Sequence, residues 1–180
     1  NFSGTLRPFL EELARATGES VYLGVLDIAG EAITYVDAIE STHAVRYSVP
    51  VGASRPLFST AAGRVLLAFG DKARVTKYLD GTSFTAFTPQ TIQSRQALLD
   101  ELARIRKSRF SASLGETFPE SGAIAAPIFD ANGTSMAAIA IGAPVTRLEQ
   151  RLAELRPVLR DVATRASRMN GLQQRVAENQ

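Results

Sequence analysis

The 180 residues contain no cysteine and no tryptophan, and histidine occurs once, at position 43. The first absence excludes disulfides, thiol nucleophiles and thiolate metal sites. A single histidine leaves no pair to grip a metal, and no local cluster of carboxylates makes an oxygen-only site, so no metal and no cofactor are expected. The sequence also lacks a glycine-rich phosphate loop, a strand-to-helix dinucleotide fingerprint and the Gly-x-Ser-x-Gly turn of a serine hydrolase. No apolar run reaches the roughly 18 residues of a membrane span, and no signal-peptide pattern opens the chain. A cytoplasmic protein with no membrane partner is the expectation. Charge of one sign is scarce too: 20 basic against 18 acidic residues leave +2, too little to argue that this stretch binds nucleic acid. The chain starts at Asn1, not Met, and a further segment is expected ahead of it.

What is present is an ordinary globular composition, 45% hydrophobic and 21% charged, in a length that suits one domain. Phe2, Leu6, Phe9, Leu10, Leu13 and Ala14 recur at helical spacing, with Ser3 as a cap and Gly18 as a stop; Pro8 would suit the first turn better than the interior. Residues 20–27 and 31–39 read as strands joined through an Asp-to-Gly turn, and a third short strand is predicted at 44–47. Helices are predicted at about 61–69, 71–79 and from a Ser94 or Thr91 cap through Ile105, with an irregular stretch at 81–91 anchored by Phe84 and Phe87. Strands follow at 110–116, 122–130 and 134–142, the last two joined through Ala131-Asn132-Gly133. A final helix opens on a capping box, Thr146 with Glu149, and carries a seam of Leu148, Leu152, Leu155, Leu159, Val162, Ala166 and Met169. That seam packs on the sheet or is shared with a second subunit, and Pro157 predicts a kink or a break near Arg156. Hairpins not alternating with helices make this an α+β domain with a mainly antiparallel sheet.

The run from 55 to 69, RPLFSTAAGRVLLAF, draws most attention. Ser59 or Thr60 caps a helix whose first turn falls on Ala61, Ala62 and Gly63. Free N–H groups, the positive end of the helix dipole and small side chains make a start that a carboxylate can approach. Close packing of a buried helix explains the same residues. Arg55 is either a charge-assisted partner for such a carboxylate or a solvated cation, and Arg64 reads as a surface charge. A hydrolytic triad would need His43 with Ser59 or Ser113 and Asp37, and no catalytic residue is assigned. Glu116 supplies one carboxylate at a strand end, which alone is no acid–base pair. Tyr22, Tyr35 and Tyr47 are core rings by default and pocket phenols otherwise.

Several segments together resemble the C-terminal, ligand-binding domain of the IclR family of bacterial transcription regulators. They are Val51 and Gly52, Pro56 and Leu57, Thr60 through Gly63, Leu66 through Ala68, Phe87 through Pro89, Thr91 and Ile92, Leu98 through Ile105, Gly115 and Glu116, and Ile124 through Asp130. No one segment is specific; their order and spacing carry the likeness over nearly the whole chain. The resemblance implies a GAF-like or profilin-like sensor domain of six strands flanked by helices, filling residues 1–180. It also implies a DNA-binding winged helix-turn-helix outside these residues, assembly as dimers or tetramers, and a small organic-acid effector.

By the same resemblance, the effector carboxylate approaches Ala61 and Ala62, and Ala44, Tyr47, Arg55, Ser113, Ala123, Ala140 and Gly142 complete the pocket. Pockets for very small polar acids in that family carry hydroxyls on the last strand, where this chain has Ala140 and Gly142, and a Gly-Ala pair where it has Ala61 and Ala62. The resemblance therefore implies a larger, less polar carboxylate, an aromatic acid or an acyl-type metabolite. A small hydrolase and a ligand-free oligomerisation domain are the alternatives.

Overall fold

The computed structural model describes residues 2–178. Eleven elements follow in order: α1 (Phe2–Thr17), β1 (Ser20–Leu26), β2 (Ala32–Ile39), β3 (Ser54–Pro56), α2 (Ala61–Ala68), α3 (Lys72–Gly81), α4 (Arg95–Ser108), β4 (Ser111–Leu114), β5 (Ser121–Phe129), β6 (Ser135–Pro144) and α5 (Val145–Glu178). The strands form one antiparallel sheet in the order β3-β2-β1-β6-β5-β4. The α+β architecture with six strands is as predicted.

The two-residue period of the strands sorts their side chains onto two faces. Val21 and Leu23 of β1, Ile124 and Ile128 of β5, and Ile139 and Ile141 of β6 pack against α1 and α5. Tyr22, Ala125, Ala138 and Ala140 face the other way, onto α2 and α4. The small residues of β6 thus lie beneath α2, whose eight residues are all buried. Gly63 permits that approach: a Cβ there would stand 2.5 Å from the Leu57 Cα and carbonyl oxygen.

Five local expectations are corrected. Residues 44–47 form no strand; β3 lies ten residues later, where Ser54–Pro56 pairs with 32–34. The earlier stretch is held instead by its carbonyls: Ser20 Oγ and Tyr22 OH each donate to the Tyr47 oxygen at 2.8 Å, and Arg147 donates to that of Val45 at 2.8 Å. Ser3 lies inside α1 and Pro8 in its interior, because burial of Leu6, Leu10 and Leu13 offsets the hydrogen bond that proline forfeits. Thr146 sits inside α5, not before it; β6 runs directly into the helix, and the Val145 N–H finds the Glu120 carbonyl at 2.9 Å, so no capping box forms. α5 continues through Pro157 without a break, carried by Leu155 and Leu159 packed on the sheet to either side. Arg64 is no surface charge: its side chain is 1% exposed.

Most of the α5 seam packs within the chain. Leu148, Leu155, Leu159, Val162 and Ala166 are buried in the core beneath α1 and the sheet, while Met169 is 43% exposed. Among the described residues no helix is long and apolar enough to cross a membrane.

Candidate functional site

Thr60 is the cap that opens α2. Its Oγ1 accepts the Gly63 N–H at 3.2 Å and donates to the Pro56 carbonyl at 2.6 Å. The Arg64 N–H closes on the Thr60 carbonyl at 3.0 Å, while the N–H groups of Ala61 and Ala62 find no partner among the described residues. Orphan donors at a helix start carry partial positive charge. Ser59, beside the cap, is knotted to the opposite strand: Ser113 Oγ donates to its carbonyl at 2.6 Å, and its hydroxyl lies 2.9 Å from Thr117 Oγ1.

Arg64 locks this start in place. Its Nε donates to the Phe58 carbonyl at 2.7 Å, and its two terminal nitrogens fork onto the carboxylate of Glu116. The 88–91 stretch joins the same turn, with Thr88 Oγ1 on the Gly115 carbonyl and Thr91 Oγ1 on that of Glu116, each at 2.6 Å. Glu116 is therefore a structural anion that positions α2 against β4.

In front of the α2 start lies a cavity of about 40 Å³, close to the space of a single water. Of the residues predicted for the site, Tyr47, Arg55, Ala61, Ser113 and Ala123 line it together. Ala62 lies one step along α2, buried behind the lining. Ala44 is exposed on the 40–50 loop. Ala140 is buried beneath the wall, and Gly142 lies where a Cβ would meet Tyr22 Cε2 at 2.8 Å and Tyr47 Cδ1 at 3.2 Å. The room expected from these two small residues is filled by the two tyrosine rings. Burial, the dominant cause, pushes the Tyr22 phenol up to about 12 and that of Tyr35 up as well.

Tyr35, Thr60, Thr117, Phe118, Ser121 and Gly122 also line the cavity. Sequence reasoning did not place Thr117 and Phe118 there. The signal is Gly115, whose φ of 69° turns the chain after β4 so that Phe118 comes back over the mouth. The Phe118 ring lies 6.2 Å from that of Tyr47 and under the Arg55 guanidinium at 5.5 Å. Arg55 itself donates one terminal N–H to the Ser54 carbonyl at 2.9 Å, and its Nε is buried with no partner among the described residues. A wider, open groove of about 850 Å³ shares Arg55 and runs on between the 29–32 turn and α3.

The triad residues are dispersed. His43 pairs with Glu19 at 3.1 Å, Asp37 pairs with Arg7, and Ser113 bonds to the Ser59 carbonyl. Glu19, fully buried, is shared with Arg147 at 2.8 Å and Arg151 at 3.2 Å. It serves as a tie between the start of β1, the 40–50 loop and α5; Ser41 Oγ accepts the His43 backbone N–H at 3.0 Å, and among the described bonds no serine hydroxyl meets the His43 imidazole.

Residues 2–168 match the family model for the C-terminal region of bacterial transcriptional regulators of the IclR type. The HTH-type transcriptional regulator KdgR of Escherichia coli is 35% identical over 163 residues, which cover 90% of this chain and 61% of that protein. The chain thus spans less than two thirds of this relative's length. The solved C-terminal domain of E. coli KdgR superposes with a TM-score of 0.83 at 33% identity, covering 94% of this chain and 98% of that one. The Thermotoga maritima IclR structure gives a TM-score of 0.88 at 29% identity, covering 95% and 69%.

Proposed function

The chain belongs to the IclR family of bacterial transcriptional regulators, as its C-terminal domain, and from that premise we propose that it senses a small organic acid and reports it to an attached DNA-binding unit. One observation carries the reading: the unpartnered Nε of Arg55 shares a cavity with the start of α2, where Ala61 offers an orphan N–H. A buried unpaired guanidinium N–H is costly, and a carboxylate satisfies it together with the helix start.

On this reading Ala61, Ala62 and Arg55 hold the carboxylate, with Ser113 and Ala123 at the side. Tyr35, Tyr47 and Phe118 offer an aromatic wall, which favours a guest with an apolar or aromatic body. The cavity as it stands is too small for such a body, so entry parts the Tyr47 and Phe118 rings. Ala44, Ala140 and Gly142 act behind or beside that wall. The domain works by recognition, not turnover, as part of a homodimer or homotetramer. For the signal to travel, the effector must bind two arrangements of the protein unequally.

A thermal-shift screen against benzoate-type and short keto acids tests this, since a ligand that binds the folded state raises Tm by mass action. Aromatic acids are expected to raise Tm in the wild type and not in Arg55→Gln. Tight binding of glyoxylate-sized acids with no response to aromatic ones overturns the size reading, and a response that survives Arg55→Gln overturns the dock.

A further inference from the structure

A second cleft, of about 300 Å³, lies at the edge of β5 beyond its pairing with β4, between α5 and the end of α4. From α5 it takes Arg160, Ala163, Thr164, Ser167 and Arg168, residues spaced three and four apart and so on one helix face. Ala126, Pro127 and Phe129 of β5 supply an apolar floor, and Arg109 closes the third side.

Among the described residues no acidic side chain lines this cleft. None of its three arginines has a carboxylate partner among the described residues, although Arg7, Arg46, Arg64, Arg95, Arg104, Arg147, Arg151 and Arg165 all do. The acids that follow lining residues in the chain are engaged elsewhere: Asp161 pairs with Arg165, and Asp130 accepts the N–H groups of Asn132 and Thr134 in its own turn. Arg109 stands out again in its backbone. It caps α4 in the left-handed conformation, with φ 53°, the one non-glycine residue with positive φ among the described residues. Its guanidinium lies 5.3 Å from the centre of the Phe129 ring. A bulky residue held where glycine is easier retains its side chain at a cost in backbone strain.

We propose that this cleft binds a small organic polyanion, a molecule bearing at least two carboxylate or phosphate groups, held by Arg109, Arg160 and Arg168 over the Phe129 floor. Guanidinium forks match the oxygens of both anion types in bidentate geometry, and three uncompensated cations call for more than one negative charge. The site is separate from the Arg55 cavity and does not rest on the sensor reading.

Isothermal titration at low salt with citrate and with pyrophosphate tests it, with benzoate as the monoanion control. The variant pair is Arg109→Gly, which relieves the left-handed strain and so keeps the fold, and Arg160→Gln with Arg168→Gln, both at exposed positions. The wild type is expected to bind citrate, pyrophosphate or both, with affinity falling at least tenfold in either variant and benzoate unaffected. Preference between the two probes identifies the anion type. Absence of binding by both polyanions, or equal binding by wild type and variants, overturns the proposal.

Discussion

Arg64 and Glu116 meet as a two-pronged ion pair beneath the start of α2, with side chains 1% and 12% exposed. The arginine spends two further donors on the carbonyls of Phe58 and Ala112. Removing one member strands a buried charge, so Arg64→Met is expected to cost about 3–5 kcal/mol. The double variant Arg64→Met with Glu116→Leu should recover much of that loss. Urea unfolding of the four proteins in the cycle measures it, and a double-variant loss equal to the sum of the two single losses would refute the coupling.

Gly63→Ala should also destabilise, despite alanine's better helix propensity. The new methyl would lie 2.5 Å from backbone atoms of Leu57, which cannot swing aside as a side chain does. A loss of about 1–3 kcal/mol is expected from overpacking, read as a lower urea midpoint. A raised midpoint would mean that α2 and the 57–60 turn separate freely.

Gly142→Ala acts on the cavity wall. Its methyl meets the edges of Tyr22 and Tyr47, and Tyr47 is the less buried ring of the two and so the freer to give way. The expected outcome is a displaced Tyr47 ring, seen as a changed aromatic signal in proton NMR, with a modest drop in Tm. An unchanged Tyr47 environment would count against the tight contact.

Alkaline pH should weaken the fold through the buried phenols. Burial raises the pKa of Tyr22 to about 12 and that of Tyr35 upward too, against 10 for an exposed phenol. Below pH 10 both states keep the proton and nothing is lost. Above it the unfolded chain sheds protons that the folded one retains, so stability falls as pH climbs from 10 toward 12, by about 1.4 kcal/mol per unit for each retained proton. Unfolding midpoints at pH 9.5, 10.5 and 11.5 test this, and Tyr35→Phe should flatten the slope.

The strands and hairpins were legible because their signals are local. Asp27 accepts the N–H groups of Glu31 and Ala32, and Asp130 does the same for Asn132 and Thr134, so each turn writes itself in an Asp-to-Gly spacing. The helix start at Thr60 was legible for the same reason. The third strand was misplaced because Val45 and Tyr47 have strand-forming side chains, yet long-range bonds from Ser20, Tyr22 and Arg147 take the carbonyls that a strand would need. Arg64 was misread because its partner lies 52 residues away. The cavity could be read only in half: Arg55 and Ala61 stand in one motif, whereas Phe118 arrives from another by a turn at Gly115. Nothing in the spacing of Gly142 shows that Tyr22 and Tyr47 fill the gap it leaves.

The borders of the sheet bear on how the protein behaves at high concentration. β3 offers three residues and ends in proline; β4 offers four. Where β5 runs on past β4, Pro127 has no N–H to give, and the Phe129 N–H and carbonyl are taken by Ser167 and Asn170. Exposed strand edges are the usual template for fibrous stacking, and here β3, β4 and the free end of β5 are short or occupied. Copies of this domain have little to gain by zipping strand to strand, which keeps a crowded solution of it from seeding amyloid-like order.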